Sequence, residues 1–217
     1  MKSYNIILFD LDGTLTDPGE GISNSVSYAL NKYGISVERK EDLYKFIGPP
    51  LSVSFRTFYG FSEERATEAI AYYREYYAEK GIHENKLYDG IRELLIKLKA
   101  AGKTVALATS KPEIFARRVL ADFEIAEYFD FIGAATTDEQ TRATKEAVLE
   151  YTLEGLNAKG RENVIMIGDR HFDINGAKMF GLDSIGVLFG YGSRNELEEA
   201  GATYIVSTPE EISEILI

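Results

Sequence analysis

The sequence contains no cysteine. Disulfides, thiolate metal sites and a cysteine nucleophile are thereby excluded. It has 2 histidines, His83 and His171, too few for a multi-histidine zinc site. No apolar run approaches the ~18 residues that a membrane span needs. Met1-Lys2-Ser3 leads straight into an apolar stretch without a signal-peptide pattern, so the expected setting is soluble and cytoplasmic, with no membrane partner. Positive charge is also short: 24 Lys and Arg stand against 35 Asp and Glu, a formal charge of −11. No Lys/Arg cluster overrides that balance, which argues against nucleic acid as a partner. The acidity reads as a solubility feature.

What is present is material for a core. The 217 residues, 45% hydrophobic and 12% aromatic, suffice for one large domain or a core plus a smaller one. The chain opens on Ile6-Ile7-Leu8-Phe9-Asp10-Leu11-Asp12-Gly13-Thr14-Leu15-Thr16. Its apolar half predicts a buried strand. Asp10 and Asp12 follow at the carboxyl end, where open α/β sheets hold their ligand crevice. Two such acids cost desolvation and mutual repulsion unless a cation or proton is near.

Residues from about 16 to 84 show helical spacing with no strand between them. Ile22, Val26, Ala29, Leu30 and Tyr33 form one face. Leu51, Phe55 and Phe58 form a second. Ser62 caps a third, whose face is Ala66, Ala69, Ile70, Tyr73 and Tyr77. The pattern then alternates. Asp89 is the expected cap of a helix through Leu98, and Thr104–Thr109 is a strand with Pro112 in the first turn of the next helix. Further strands are expected at 129–134, 163–167, 184–188 and 204–206, with helices around 140–155, 172–180 and 193–200. Thr208-Pro209-Glu210-Glu211 reads as a capping box. Such alternation means an α/β fold with a parallel sheet and right-handed crossovers. The all-helical stretch interrupts the first crossover, with hinges expected near 16–21 and 85–89, and is placed to act as a lid.

D-x-D-G-T at the end of an N-terminal apolar strand resembles the first motif of the haloacid-dehalogenase-like superfamily, and the resemblance runs the length of the chain. It implies a Rossmann-like core from 1–15 and 86–217, with helices on both faces, and an inserted α-helical cap of the C1 type at 16–85. It also implies Asp10 as a nucleophile that forms an aspartyl-phosphate, and Asp12 as the acid/base for the leaving alcohol and the attacking water. Dehalogenases of the superfamily lack the second acid, so phosphoryl transfer is the expected chemistry.

Three further motifs carry the resemblance. Thr109, by itself an ordinary helix cap, matches the hydroxyl that holds a phosphoryl oxygen. Ser110 would add its backbone N–H beside a helix N-terminus. Lys145 matches the lysine that binds the phosphoryl group, although the family's frequent Lys-Pro is absent and Lys111 and Arg142 stand as alternatives. Gly168-Asp169-Arg170-His171-Phe172-Asp173 matches the acidic fourth motif. The implied cofactor is Mg²⁺, held by Asp10, the backbone carbonyl of Asp12 and Asp169, with Asp173 a direct or indirect partner. His171 is read as structural or substrate-side.

The implied partner is a small phosphorylated metabolite, bound by a monomer or homodimer. Phe46-Ile47-Gly48-Pro49-Pro50-Leu51 resembles the cap loop of phosphoglycolate-phosphatase-like enzymes and equally reads as a helix–helix turn. Arg56 and Lys45 are cationic candidates for a substrate anion. Tyr72, Tyr73, Tyr76 and Tyr77 read as cap core and cap surface. The expectation is therefore a Mg²⁺-dependent phosphatase of small phosphomonoesters, phosphoglycolate-like or nucleotide, with a sugar phosphomutase of the β-phosphoglucomutase kind as the alternative.

Overall fold

The computed structural model describes residues 2–138, 141–158 and 161–217. It resolves into two compact units. One joins Met1–Thr16 to Leu87–Ile217, and the other is Asp17–Lys86.

The first unit is built on β1 (Ile6–Phe9). The chain leaves it through the two-residue strand β2 (Thr16–Asp17) and returns through β3 (Lys86–Leu87), which pair as a small sheet. Between them lie α1 (Gly19–Asn31), α2 (Leu51–Tyr59) and α3 (Glu63–Tyr76), with a 3-10 turn at Lys40–Phe46 and a π turn at Tyr77–Gly81. Then follow α4 (Ile91–Ala100), β4 (Thr104–Pro112), α5 (Glu113–Asp122), β5 (Phe131–Ala135), α6 (Lys145–Gly155), β6 (Val164–Gly168), α7 (His171–Met179), β7 (Asp183–Val187), α8 (Arg194–Ala200), β8 (Tyr204–Val206) and α9 (Pro209–Leu216). The main sheet is parallel, in the order β5-β4-β1-β6-β7-β8. The class is α/β and Rossmann-like, as expected.

Side-chain alternation explains the layers. Leu8, Ala106, Ala108, Val164 and Met166 pack with Val148, Leu149 and Leu153 of α6 and Ala177 of α7. Their strand neighbours Ile7, Phe9, Val105, Leu107, Ile165 and Ile167 are equally buried and fall on the opposite face. Right-handed crossovers put α4 and α5 on that second face, where α4 packs against α9. The order of connections reverses at β1. The cleft between β1 and β6 is thus the topological switch point, where such sheets bind ligands at their carboxyl ends.

Several local expectations shift. Asp89 makes no cap, because Gly90 (φ 83°) holds the N-cap position of α4 without a side-chain bond. Pro112 is not in the first turn of α5 but is its extended N-cap and the last residue of β4. The helix expected from about 140 begins at Lys145, capped by Thr144; Gln140 lies outside the described residues. Thr208 caps α9, yet Glu211 reaches back to the N–H of Ser207 rather than to that of Thr208.

The second unit has its own apolar centre, including Val26, Leu30, Phe46, Phe55, Ala69, Tyr73 and Tyr77. Tyr73 and Tyr77 stack with centroids 5.4 Å apart, while the half-buried Tyr72 and Tyr76 bond Glu68 and Glu84. Ser62 caps α3 as expected, accepting from the Arg65 N–H. Lys45 lies over the Phe58 and Tyr59 rings, and exposed Arg56 lines an open hollow of about 500 Å³ with Val53, Thr57, Gly60 and Phe61. Among the described residues no helix is long and apolar enough to cross a membrane.

Candidate active site

Asp10 is the first residue beyond β1, and its N–H still bonds Ile167 O of β6 at 2.9 Å. Asp169 is the first residue beyond β6. The β1–β6 register, with Phe9 opposite Ile167, sets Asp10 level with Gly168, so Asp169 follows one residue further along at the same end of the sheet. Asp173 joins them from the first turn of α7. Its Oδ2 accepts the Arg170 N–H at 3.1 Å, which ties the carboxylate to the helix start. Oxygens of Asp10, Asp169 and Asp173 lie within 4.8 Å of one another, and all three residues are buried.

Lys145, the first residue of α6, answers this concentration of charge. Its Nζ lies 2.8 Å from Asp10 Oδ1 and 2.8 Å from Asp173 Oδ1, and donates to Ala108 O at 2.8 Å. Burial pulls the ammonium's pKa down, but Asp10 and Asp173 more than reverse it, and the net shift is upward. Arg142, the alternative cation, is engaged elsewhere. It donates to Ala134 O and lies over the Tyr151 ring.

Asp12 takes a different partner. The chain turns at Gly13 (φ 84°), and the Asp12 carboxylate sits outside the three-acid cluster, with Lys111 Nζ 2.8 Å from Oδ2 and 3.0 Å from Oδ1. Its pKa is raised by burial, against the pull of Lys111. Thr109 is buried on β4 and accepts the Lys111 N–H at 3.2 Å. The helix N-terminus expected directly after Thr109 stands further on, because β4 continues through Ser110 and Lys111 to Pro112 and α5 starts at Glu113.

The centre fits a hard divalent cation. Four carboxylates against two ammoniums leave a deficit of two positive charges. The sign of that deficit is visible in the acids. Burial, then Asp173 and Asp10, push Asp169 well above the carboxylate range, and burial brings Asp173 to about 6 despite Lys145. Asp169 Oδ1 is buried and accepts no hydrogen bond among the described residues. All the donors are oxygens, the set that suits Mg²⁺.

Two supports lie outside the four motifs. Tyr191 donates its N–H to Asp169 Oδ2 at 2.8 Å, flanked by glycines that allow the approach; a Cβ on Gly192 would stand 1.8 Å from Asp169 O. The Gly190-Tyr191-Gly192 spacing after an apolar strand was the available cue. The other is Glu196 of α8, which accepts from Arg170 Nε (2.9 Å) and the His171 N–H (3.0 Å) and lies 2.7 Å from His171 Nδ1. Against the upward push of burial, these bonds bring Glu196 to about 2. His171 is thus occupied with Glu196.

Fold and site together define a Rossmann-like α/β enzyme with an acidic centre at the switch point of its sheet. The chain belongs to the haloacid dehalogenase-like hydrolase family, whose model matches residues 7–187. It is similar to a 5'-nucleotidase of Pseudomonas aeruginosa, 44% identical over 215 residues that cover 98% of this chain and 96% of that one. It is 39% identical over 217 residues to the tyrosine-protein kinase PtkA of Mycobacterium tuberculosis, covering 99% of this chain and 73% of that one. A crystal structure of a predicted phosphatase from Clostridium acetobutylicum matches with a TM-score of 0.95 at 50% identity, over 98% of each chain.

Proposed function

We propose that this chain is a Mg²⁺-dependent phosphatase of small soluble phosphomonoesters, of the nucleotide or phosphoglycolate-like kind. The observation that carries the reading is the division of the acids: Asp10 paired with Lys145 in the metal-type cluster, Asp12 apart from it with Lys111. That division supports giving the attack to Asp10 and the proton handling to Asp12.

In this reading a carboxylate oxygen of Asp10 attacks phosphorus as the bond to the leaving oxygen breaks, and Asp12 gives that oxygen its proton. Asp12 then takes a proton from the water that attacks the aspartyl-phosphate, and phosphate leaves as Asp10 is restored. Thr109 and Ser110 hold phosphoryl oxygens, and Lys145 offsets their charge. Asp10, Asp169, Asp173 and the Asp12 carbonyl would hold Mg²⁺, which when bound neutralises charge on the transferring group. Residues 17–86 serve as the cap domain that selects the substrate. The identity to a relative named 5'-nucleotidase supports hydrolysis over the phosphomutase alternative.

The test is Asp10→Asn assayed with p-nitrophenyl phosphate and Mg²⁺. Turnover is expected to fall by about 10⁴-fold or more; undiminished turnover overturns the reading. A panel of phosphorylated metabolites, read by released phosphate, then defines the substrate.

A further inference from the structure

Lys111 is buried in a strand, yet it has no step of its own in the reaction above. Its position comes from an irregularity in β4. Thr109 and Pro112 pair with Ala134 and Ala135, so three residues of advance on β4 match one on β5. Ser110 and Lys111 are the excess. Bulges of this kind re-aim a side chain beside a site, and here the side chain meets Asp12. Both carboxylate oxygens lie within 3.0 Å of the Lys111 ammonium.

Asp12 needs such a partner more than Asp10 does. Asp10 is fixed by its backbone bond to β6 and by Lys145. Asp12 stands beyond the last rung of β1, where the chain turns at Gly13, and its ladder contact is a single bridge to Thr16. Two side-chain torsions then set where its carboxylate points. An ammonium held in the β4 bulge removes that freedom.

Resting on the phosphatase reading, we infer that Lys111 is a positioning residue for protonation of the leaving group. Lys111 donates to the carbonyl oxygen of the protonated Asp12 and so turns the O–H toward the leaving oxygen. As the P–O bond breaks, that proton passes to the alcohol, and Lys111 faces the carboxylate left behind.

Two substrates of similar size separate this role from general support of the fold. p-Nitrophenyl phosphate releases an anion that is stable without a proton, whereas 4-nitrobenzyl phosphate releases an alkoxide that is not. kcat/KM reports only the steps through alcohol release. The ratio of the two kcat/KM values is also independent of how much of a variant is folded. K111M is expected to lower the benzyl-to-phenyl ratio by about 10²-fold, the low end of what a general acid supplies. D12N should lower it in the same direction, and K111R should recover part of it. An unchanged ratio in K111M overturns the inference and leaves the phosphatase reading standing. A wild-type protein inert on both substrates with Mg²⁺ overturns both.

Discussion

Gly13 carries two constraints at one position. Its φ of 84° belongs to the left-handed region, and a Cβ there would stand 2.3 Å from Asp169 Oδ2. Gly13→Ala is expected to cost about 1–2 kcal/mol from the backbone alone. The contact then displaces a carboxylate of the three-acid cluster. Thermal melts should show the first loss, and Mg²⁺ titration by calorimetry the second. Asp173 gives a pH dependence with a definite sign. Its carboxyl titrates at about 6 in the fold against 3.8 ordinarily, so between those values the folded chain holds a proton that the unfolded chain has released. This group's contribution therefore becomes less favourable as pH rises from about 4 to 6, and the loss is complete above 6. Melting in EDTA should show that decline, and Mg²⁺ should flatten it. At this scale the D-x-D-G-T and G-D-x-x-x-D patterns were legible because their spacing is local. Lys111 carries no such local mark and reads only as an alternative to Lys145. Its partner Asp12 is distant in sequence, and the bulge that brings them together leaves no periodic trace.

Elements hold the acids in place from behind. The turn from Asp169 to Asp173 is gripped by the segment after β7: Tyr191 on one carboxylate, and Glu196 on Arg170 and His171 between the two. Glu196→Ala removes an acceptor that serves three donors. It is expected to weaken Mg²⁺ binding about 10- to 100-fold, as losses behind metal ligands commonly do. Calorimetry with Mg²⁺ alone measures this, and an affinity unchanged from wild type would show that Tyr191 suffices. The strands and helices were readable from period and cap residues, because buried runs such as Val164–Ile167 and capped helices such as α3 state their own ends. The misplaced ends have a common cause. Asp89 and Pro112 carried local signals that neighbours outcompeted, a left-handed Gly90 in one case and the extended β4 pairing in the other.

The molecule as a whole has two cores, and every member of the acid cluster belongs to one of them. A ligand that binds the native state raises stability by mass action. Mg²⁺ should therefore raise the melting of the unit containing the main sheet and leave the intrinsic stability of Asp17–Lys86 unchanged. Differential scanning calorimetry with and without Mg²⁺ is expected to resolve two transitions, only one of which moves. The α/β class was legible at this scale from strand–helix alternation, whereas sheet order was not, since nothing local in a strand names its neighbours. The paired strands β2 and β3 carry a last consequence. The inserted segment begins and ends at neighbouring points, so the core chain on either side of it is separated by only a short gap. The entropy of closing such an excursion grows with the logarithm of its length. The main sheet can thus tolerate exchange of the whole insert for another of different size, and Thr16 and Leu87 are the natural junctions for grafting one.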